Sequence, residues 1–288
     1  MADNDGKEYA KRGAFNKTAF MTAYTEQFKA VPKYSAASIP DLVRMVEMME
    51  QDPTITDIRW MAYMLATTFI ESSSTVKVKL ASKDKQGHLI VRTAKVWRNF
   101  APVEEKGHGR TRRYGPPVKV KLLESGSVRV TEWDGDQWIV SPEAHQHRVD
   151  SAHGLGATPG DDASAAYRRD SGEEKHYFGR GFVQLTWWSN YAEAGVLIGK
   201  GLDLLLDPDS VDEPELAYRI ISTGMRTGRG FAHGHTFREF FHGQHTDYVH
   251  ARKMVNGTHH AQEIGHLAER FEQILRASSS STTPPAEL

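Results

Sequence analysis

The spacing of apolar residues changes twice along this chain of 288 residues, and that change limits what it can fold into. Up to Glu71 the spacing is helical. Phe15, Phe20, Tyr24 and Phe28 precede a break at Pro32. Leu42, Met45, Val46 and Met49 follow Ser38, Pro40 and Asp41, a grouping that predicts a capped helix start. Ile58, Met61, Leu65 and Phe69 predict a third helix, from Asp57 to Glu71. From Val76 to Val140 alternation takes over. Leu89-Ile90-Val91 opens one strand, and Val118, Val120 and Leu122 alternate with Lys119 and Lys121 in another. Val128 to Trp133, the turn Asp134-Gly135-Asp136, and Gln137 to Val140 read as a hairpin. Helical spacing returns at Leu216 to Met225 and at Ile264, Leu267, Phe271, Ile274 and Leu275. The expectation is a mainly α chain, α+β in detail. Residues 1–75 are its N-terminal helical part, 76–140 a small basic β-rich insertion, 141–276 the remainder of the domain, and 277–288 a disordered Ser/Thr/Pro tail. Residues 150–175, rich in Gly and acids, read as a long loop.

A hydrophobic content of 39 % is enough to bury one substantial core, and the absence of cysteine excludes disulfides, thiolate metal sites and a cysteine nucleophile. The formal net charge of -1 conceals a split. Residues 77–130 carry 14 Lys and Arg against 4 Asp and Glu, whereas 131–176 carry 10 acids against 4 bases. A charge run can be no more than a solvated face. It can also attract an anionic polymer, either peptidoglycan or nucleic acid. The polar, acidic N-terminus lacks an apolar segment behind it, so no secretory signal is expected, and no run of about 18 apolar residues is present to span a membrane. The expected history is synthesis in a reducing cytoplasm.

Glycosidic cleavage needs one carboxylic acid that holds its proton and a second carboxylate. Glu71 suits the first role, because a helix C-terminus disfavours an anion and Trp60, Tyr63 and Met64 can wall it with apolar surface. A glutamate at a helix end is also an ordinary surface residue. The more specific signal is Tyr177-Phe178-Gly179-Arg180-Gly181-Phe182-Val183-Gln184-Leu185-Thr186-Trp187-Trp188-Ser189-Asn190-Tyr191. Two glycines permit close backbone approach, Gln184, Thr186 and Asn190 offer neutral hydrogen-bonding groups, and the aromatics offer faces for sugar rings. Arg180 reads in part as a buried ion-pair partner that shapes a turn.

This run closely resembles the signature of glycoside hydrolase family 19, the class I chitinases and their phage endolysin relatives. The resemblance extends to the helix Met61 to Ser72, which is similar to the family's catalytic-acid helix. It extends also to Phe100-Ala101-Pro102-Val103-Glu104-Glu105, similar to the segment with the second glutamate, and to Met254-Val255-Asn256-Gly257, similar to a segment bordering the cleft. Phe182 stands where chitinases have Pro, which looks more like the phage type, and Ser72-Ser73-Ser74-Thr75 leads into an insertion those chitinases lack.

The resemblance implies a lysozyme-like, two-lobed helical domain and an inverting glycosidase with no cofactor and no metal. It implies Glu71 as acid and Glu105 as base, with Thr186 holding the attacking water. Tyr177, Gln184, Trp187, Asn190 and Asn256 are then the substrate contacts. Glu104 is the next choice for the second carboxylate, with Glu173, Glu174 and Asp170 as fallbacks. Peptidoglycan is the expected polymer and chitin the alternative, reached by a holin-type lesion, a contact-dependent secretion machine or a phage particle. A secreted toxin would also imply an immunity protein. A different class stays open: a non-catalytic wall-binding or assembly protein that keeps the fold.

The histidines His233, His235, His242, His245 and His250, with His259, His260 and His266, raise a metal reading, but no His-Glu-x-x-His helix accompanies them. Nor does a helix-turn-helix, zinc finger or RNA-recognition signature accompany the basic stretch, which argues against nucleic acid.

Overall fold

The computed structural model describes residues 9–11, 14–83, 85–110, 114, 118–122, 128–133, 136–140 and 173–279. The fold is mainly α with small antiparallel sheets. Two compact units make it up: Met1–Ala101 with Phe237–Arg252 and Asn256–Leu288, and Pro102–Thr236 with Lys253–Val255.

The first unit is built on α1 (Lys17–Phe28), α2 (Ile39–Gln51) and α3 (Ile58–Glu71). Every residue of α3 from Ile58 to Ile70 is buried, as expected of a helix that is apolar all round and forms the middle of a core. Asp57 caps it by accepting from the Arg59 amide at 2.8 Å. The Arg59 guanidinium turns back onto Asp57 and donates to the Gly243 and His245 carbonyls at 3.1 and 2.9 Å, which fixes a small hairpin against the start of the helix. A long final helix of the chain (Ala261–Ser278) lies along α3, and aromatic rings fill the space between α1, α3 and this helix. Phe28 and Phe271 have centroids 4.6 Å apart, and Phe100 meets Phe69 at 5.8 Å and Phe271 at 6.0 Å.

After α3 the chain leaves as a two-stranded antiparallel ribbon, β1 (Ser74–Lys83) and β2 (Leu89–Arg98). Its base is tied by polar side chains. Asn99 donates its amide Nδ2 to the Phe69 carbonyl at 3.0 Å and to Ser73 Oγ at 2.7 Å, and its backbone N–H to Ser38 Oγ at 2.9 Å. Arg98 grips Asp41 with two hydrogen bonds of 2.6 and 2.8 Å. Ser38 was expected to cap α2 with its hydroxyl. Instead that hydroxyl serves Asn99 and makes no bond to the helix, since a buried Asn with two faces to satisfy outcompetes a helix end that water or a 3₁₀ turn can serve.

The second unit contains a four-stranded antiparallel sheet, in order β5 (Trp138–Val140), β4 (Val128–Trp133), β3 (Val118–Leu122), β6 (Glu173–Lys175). Helices α4 (Trp188–Leu197), α5 (Asp203–Leu206) and α6 (Pro214–Thr227) follow. The first unit resumes with α7 (Phe237–Phe240), the hairpin β7 (Phe241–His242) and β8 (His245–Thr246), and the final helix α8 (Ala261–Ser278).

Three expectations differ from this arrangement. The β-rich stretch 76–140 is not one module. Asn99 and Phe100 are buried in the first unit's core and cut it in two, leaving the ribbon with the first unit and the sheet with the second. Residues Glu173–Lys175, placed in a long loop, form β6 on the edge of β3; a three-residue strand of charged residues has no alternation to read and exists because a paired neighbour recruits it. The rest of that loop, with the Asp134-Gly135 turn, lies outside the described residues. Finally, α8 runs one residue past Ala277, to Ser278, whose hydroxyl donates back to the Ile274 carbonyl at 2.7 Å. Most of the expected tail lies outside the described residues.

Candidate functional site

In the first unit, Glu71 ends α3, held where a buried helix can neither slide nor turn. The expected apolar wall is interrupted by a charge. Arg252, whose side chain is 0 % exposed, donates from Nη2 to Glu71 Oε1, and Glu71 itself is 17 % exposed. Nε of Arg252 donates to the His259 carbonyl at 2.8 Å, while Nη1 has no partner among the described residues. The Asn256 amide donates to the Arg252 carbonyl at 3.0 Å, so the Asn-Gly segment is tied through the backbone to the residue that holds Glu71, with the Asn256 side chain exposed. Arg252 was not among the expected site residues. Its partner lies 181 positions away, and no local pattern reports such a pair.

In the second unit the signature run folds into a tight loop. Arg180 and Leu185 exchange backbone hydrogen bonds of 3.2 and 2.8 Å, with Gly181 at φ +78° and Gln184 at φ 52° in the loop they close. Gly181 supplies the left-handed conformation, and Gly179 supplies space: a Cβ there would meet Gln184 Oε1 at 2.8 Å. Arg180 is buried and structural. It lies 3.6 Å over the Phe178 ring and donates to the Tyr191 hydroxyl at 3.2 Å, the His176 carbonyl at 2.9 Å and Asp209 at 2.7 Å.

The loop also discriminates between the two adjacent glutamates. Glu104 faces His108 Nε2 at 3.2 Å and Arg180 Nε at 3.6 Å. Glu105 instead straddles Gly179: its N–H donates to the Gly179 carbonyl at 2.7 Å, and its carboxylate accepts from the Gly179 amide at 3.4 Å. Gln184 Nε2 donates to the Val103 carbonyl at 2.8 Å, adding a second link from the signature to the segment that carries Glu105. Glu173 and Glu174 lie in β6 with side chains outside what the structure describes, and Asp170 lies outside the described residues.

Of the expected sugar contacts, Trp187 is 45 % exposed and stands at φ 70°, a conformation rare for a bulky residue. Tyr114 meets it edge-on at 6.4 Å. Thr186 is half-buried beside it, and Asn190 donates Nδ2 to the Thr186 carbonyl at 2.9 Å. Tyr177 corrects an expectation: it is buried, with its hydroxyl donating to the Leu205 carbonyl at 2.8 Å and its ring 5.1 Å from Tyr191. An aromatic that fills the core has no face left for a sugar.

Residues 150–222 match the family model of the class I chitinases, glycoside hydrolase family 19. The match covers about a quarter of the chain: the signature loop, its Arg180 framework and the first part of α6. It bears out the resemblance carried by Tyr177 to Tyr191, and it supports a glycoside hydrolase. Glu71, Glu105 and Asn256 lie outside the matched residues. No curated protein and no solved structure matches the chain.

Among its described residues, the matched segment holds one unusual carboxyl group. Asp212 accepts from the Gly181 amide at 2.9 Å, and burial pushes its pKa up to about 6, with the nearby Glu104 and Asp209 charges adding to the rise against the pull of Gly181 and Arg180. A carboxyl whose folded pKa lies above its unfolded value binds its proton more tightly when folded. Its stabilising contribution is therefore present at acid pH and is lost as pH rises through about 6. Asp212→Asn, which keeps an oxygen for Gly181, is expected to be more stable than the parent at pH 7–8 by about 1 kcal/mol after allowance for solvent screening. The gain should vanish toward pH 4. Thermal melts of both proteins across this range check it, and a gain that persists unchanged at pH 4 would rule the explanation out.

Among the described residues, no group of three or more His, Asp and Glu side chains is placed to hold a metal ion. No described helix is long and apolar enough to cross a membrane.

Proposed function

We propose that this chain hydrolyses a β-1,4-linked amino-sugar polymer, peptidoglycan, with inversion at the anomeric carbon. The observation that carries the reading is the hold of the family 19 signature loop on Glu105, through both hydrogen bonds to Gly179. In this reading Glu71 protonates the glycosidic oxygen, Glu105 accepts a proton from water, and Thr186 orients that water. Trp187 offers a ring face to a sugar, with Gln184, Asn190 and Asn256 as polar contacts.

Peptidoglycan is preferred to chitin because the signature is of the phage type at Phe182, cysteine is absent and the chain carries a concentrated basic stretch that suits an anionic wall. Delivery by a holin-type lesion, a secretion machine or a phage particle belongs to the same proposal.

The test is incubation of purified protein with peptidoglycan sacculi and, separately, with chitin oligomers. Products are identified by mass spectrometry and the anomer first formed by proton magnetic resonance. Muropeptides released as the inverted anomer are expected. Cleavage of chitin alone would replace the substrate. Binding to either polymer without cleavage would replace hydrolysis by a wall-binding role.

A further inference from the structure

The β1–β2 ribbon is built in a way that the core does not explain. Strands of ten residues each make it about 30 Å long, and it packs on its unit chiefly at the base, beside the 3₁₀ turn Ala36–Ser38. Neither strand contains an Asp or Glu.

Its register separates two faces. On one, Thr75, Lys77, Lys79, Ala81 and Lys83 stand opposite Trp97, Lys95, Thr93, Val91 and Leu89. This face is exposed from end to end, whereas the other carries the half-buried Val76, Val78, Ala94 and Val96. Lys77 is directly opposite Lys95, an arrangement of like charges that weakens a ribbon. The lysine face also carries bare apolar side chains: Leu89 is 68 %, Val91 54 % and Trp97 38 % exposed, three of the five large hydrophobic residues so exposed among the described residues. Isolated exposed apolar residues are ordinary, but several interleaved with lysines on one face of a ribbon mark a contact surface.

We infer that this face of the ribbon docks on an anionic lipid surface, Leu89, Val91 and Trp97 entering the headgroup layer while Lys77, Lys79, Lys83 and Lys95 lie against the acidic headgroups. A soluble polyanion would be met by the lysines but would gain nothing from the bare apolar side chains that share their face. A lipid interface uses both, since burial of aliphatic surface and attraction of cations add there. Trp97, 38 % exposed at the base of the same face with Lys33 Nζ 5.9 Å from its ring, marks the other end of the basic band. The inference stands independently of the hydrolase reading.

The test is co-sedimentation of the full chain with phosphatidylcholine vesicles that either contain or lack phosphatidylglycerol, at low and high salt. Binding is expected to the anionic vesicles only, and to fall with salt. Leu89→Asn should weaken it about tenfold, and Lys77→Gln and Lys95→Gln about fivefold each. All three positions are exposed, and circular dichroism verifies that the variants stay folded. Absence of binding to anionic vesicles at low salt would overturn the inference. So would unchanged binding by Leu89→Asn together with full competition by heparin, which would make the lysines a polyanion site.

Discussion

Replacing Glu71 by Gln is expected to slow cleavage of the preferred polymer by roughly 10²–10⁴-fold, the usual contribution of a positioned general acid. Glutamine keeps the shape and an oxygen to accept from Arg252 Nη2 but leaves that buried charge without its counter-ion, so the variant should melt below the parent while polymer binding is little changed. What the variant lacks, in the proposed mechanism, is the proton for the leaving oxygen. Rates on sacculi or chitin oligomers, measured beside a binding isotherm and a thermal melt, separate these effects. A variant that cuts at the parent rate would remove Glu71 from the chemistry. In the proposed mechanism the matching change at Glu105 should lose rate to a comparable degree, because the neighbouring carboxylate of Glu104 is held between His108 and Arg180.

The second large effect is expected at Arg252. Removing one partner of a buried ion pair leaves the other charge uncompensated and costs about 3–5 kcal/mol. For Arg252→Ala this should lower the melting temperature by roughly 10–15 °C. Arg252→Met refills the volume but leaves Glu71 without its guanidinium. The double variant Glu71→Gln with Arg252→Met should recover part of that stability without recovering activity, since a neutral amide at the end of α3 needs no counter-charge. If Arg252→Ala melts with the parent, the pair contributes nothing to holding Glu71. If the double variant is less stable than Arg252→Met alone, the destabilisation does not come from an unpaired charge.

Arg252 also shows where reading the sequence stops. Helices α2, α3 and α8 were visible because each repeats its apolar residues at the helical period over two to three turns, and the strands from Leu89 to Val140 because apolar residues recur in theirs with the period of a strand. The signature loop was visible because its glycines and polar residues are close in sequence, and the family match falls on it. Arg252 has no such neighbourhood. It follows a run of histidines that drew attention toward metals, and only the folded chain brings it to Glu71. Asp212 was hidden in the same way, in a loop whose acids look solvated until one of them caps Gly181. Tyr177 erred in the opposite direction. An aromatic at the head of a sugar-binding signature suggests a platform, but the hydroxyl bond to Leu205 and the packing on Tyr191 commit it to the interior. The choice of Glu105 over Glu104 rests on a one-residue register that the sequence does not display; in the folded chain Glu105 meets Gly179 through its N–H and its carboxylate, whereas Glu104 meets His108 and Arg180.

The polar knot of Ser38, Ser73 and Asn99 has a consequence for how this protein can vary. The ribbon departs two residues after Ser72 ends the helix of Glu71, and it returns directly into Asn99, which ties both ends to the core. Everything between those ties can lengthen, shorten or change composition at a conformational cost that rises only slowly with length. Descendants of this chain can therefore exchange one surface habit for another while the glutamate at the end of α3 stays where it is. Substitutions inside the ribbon should accumulate faster than those in the knot that fastens it.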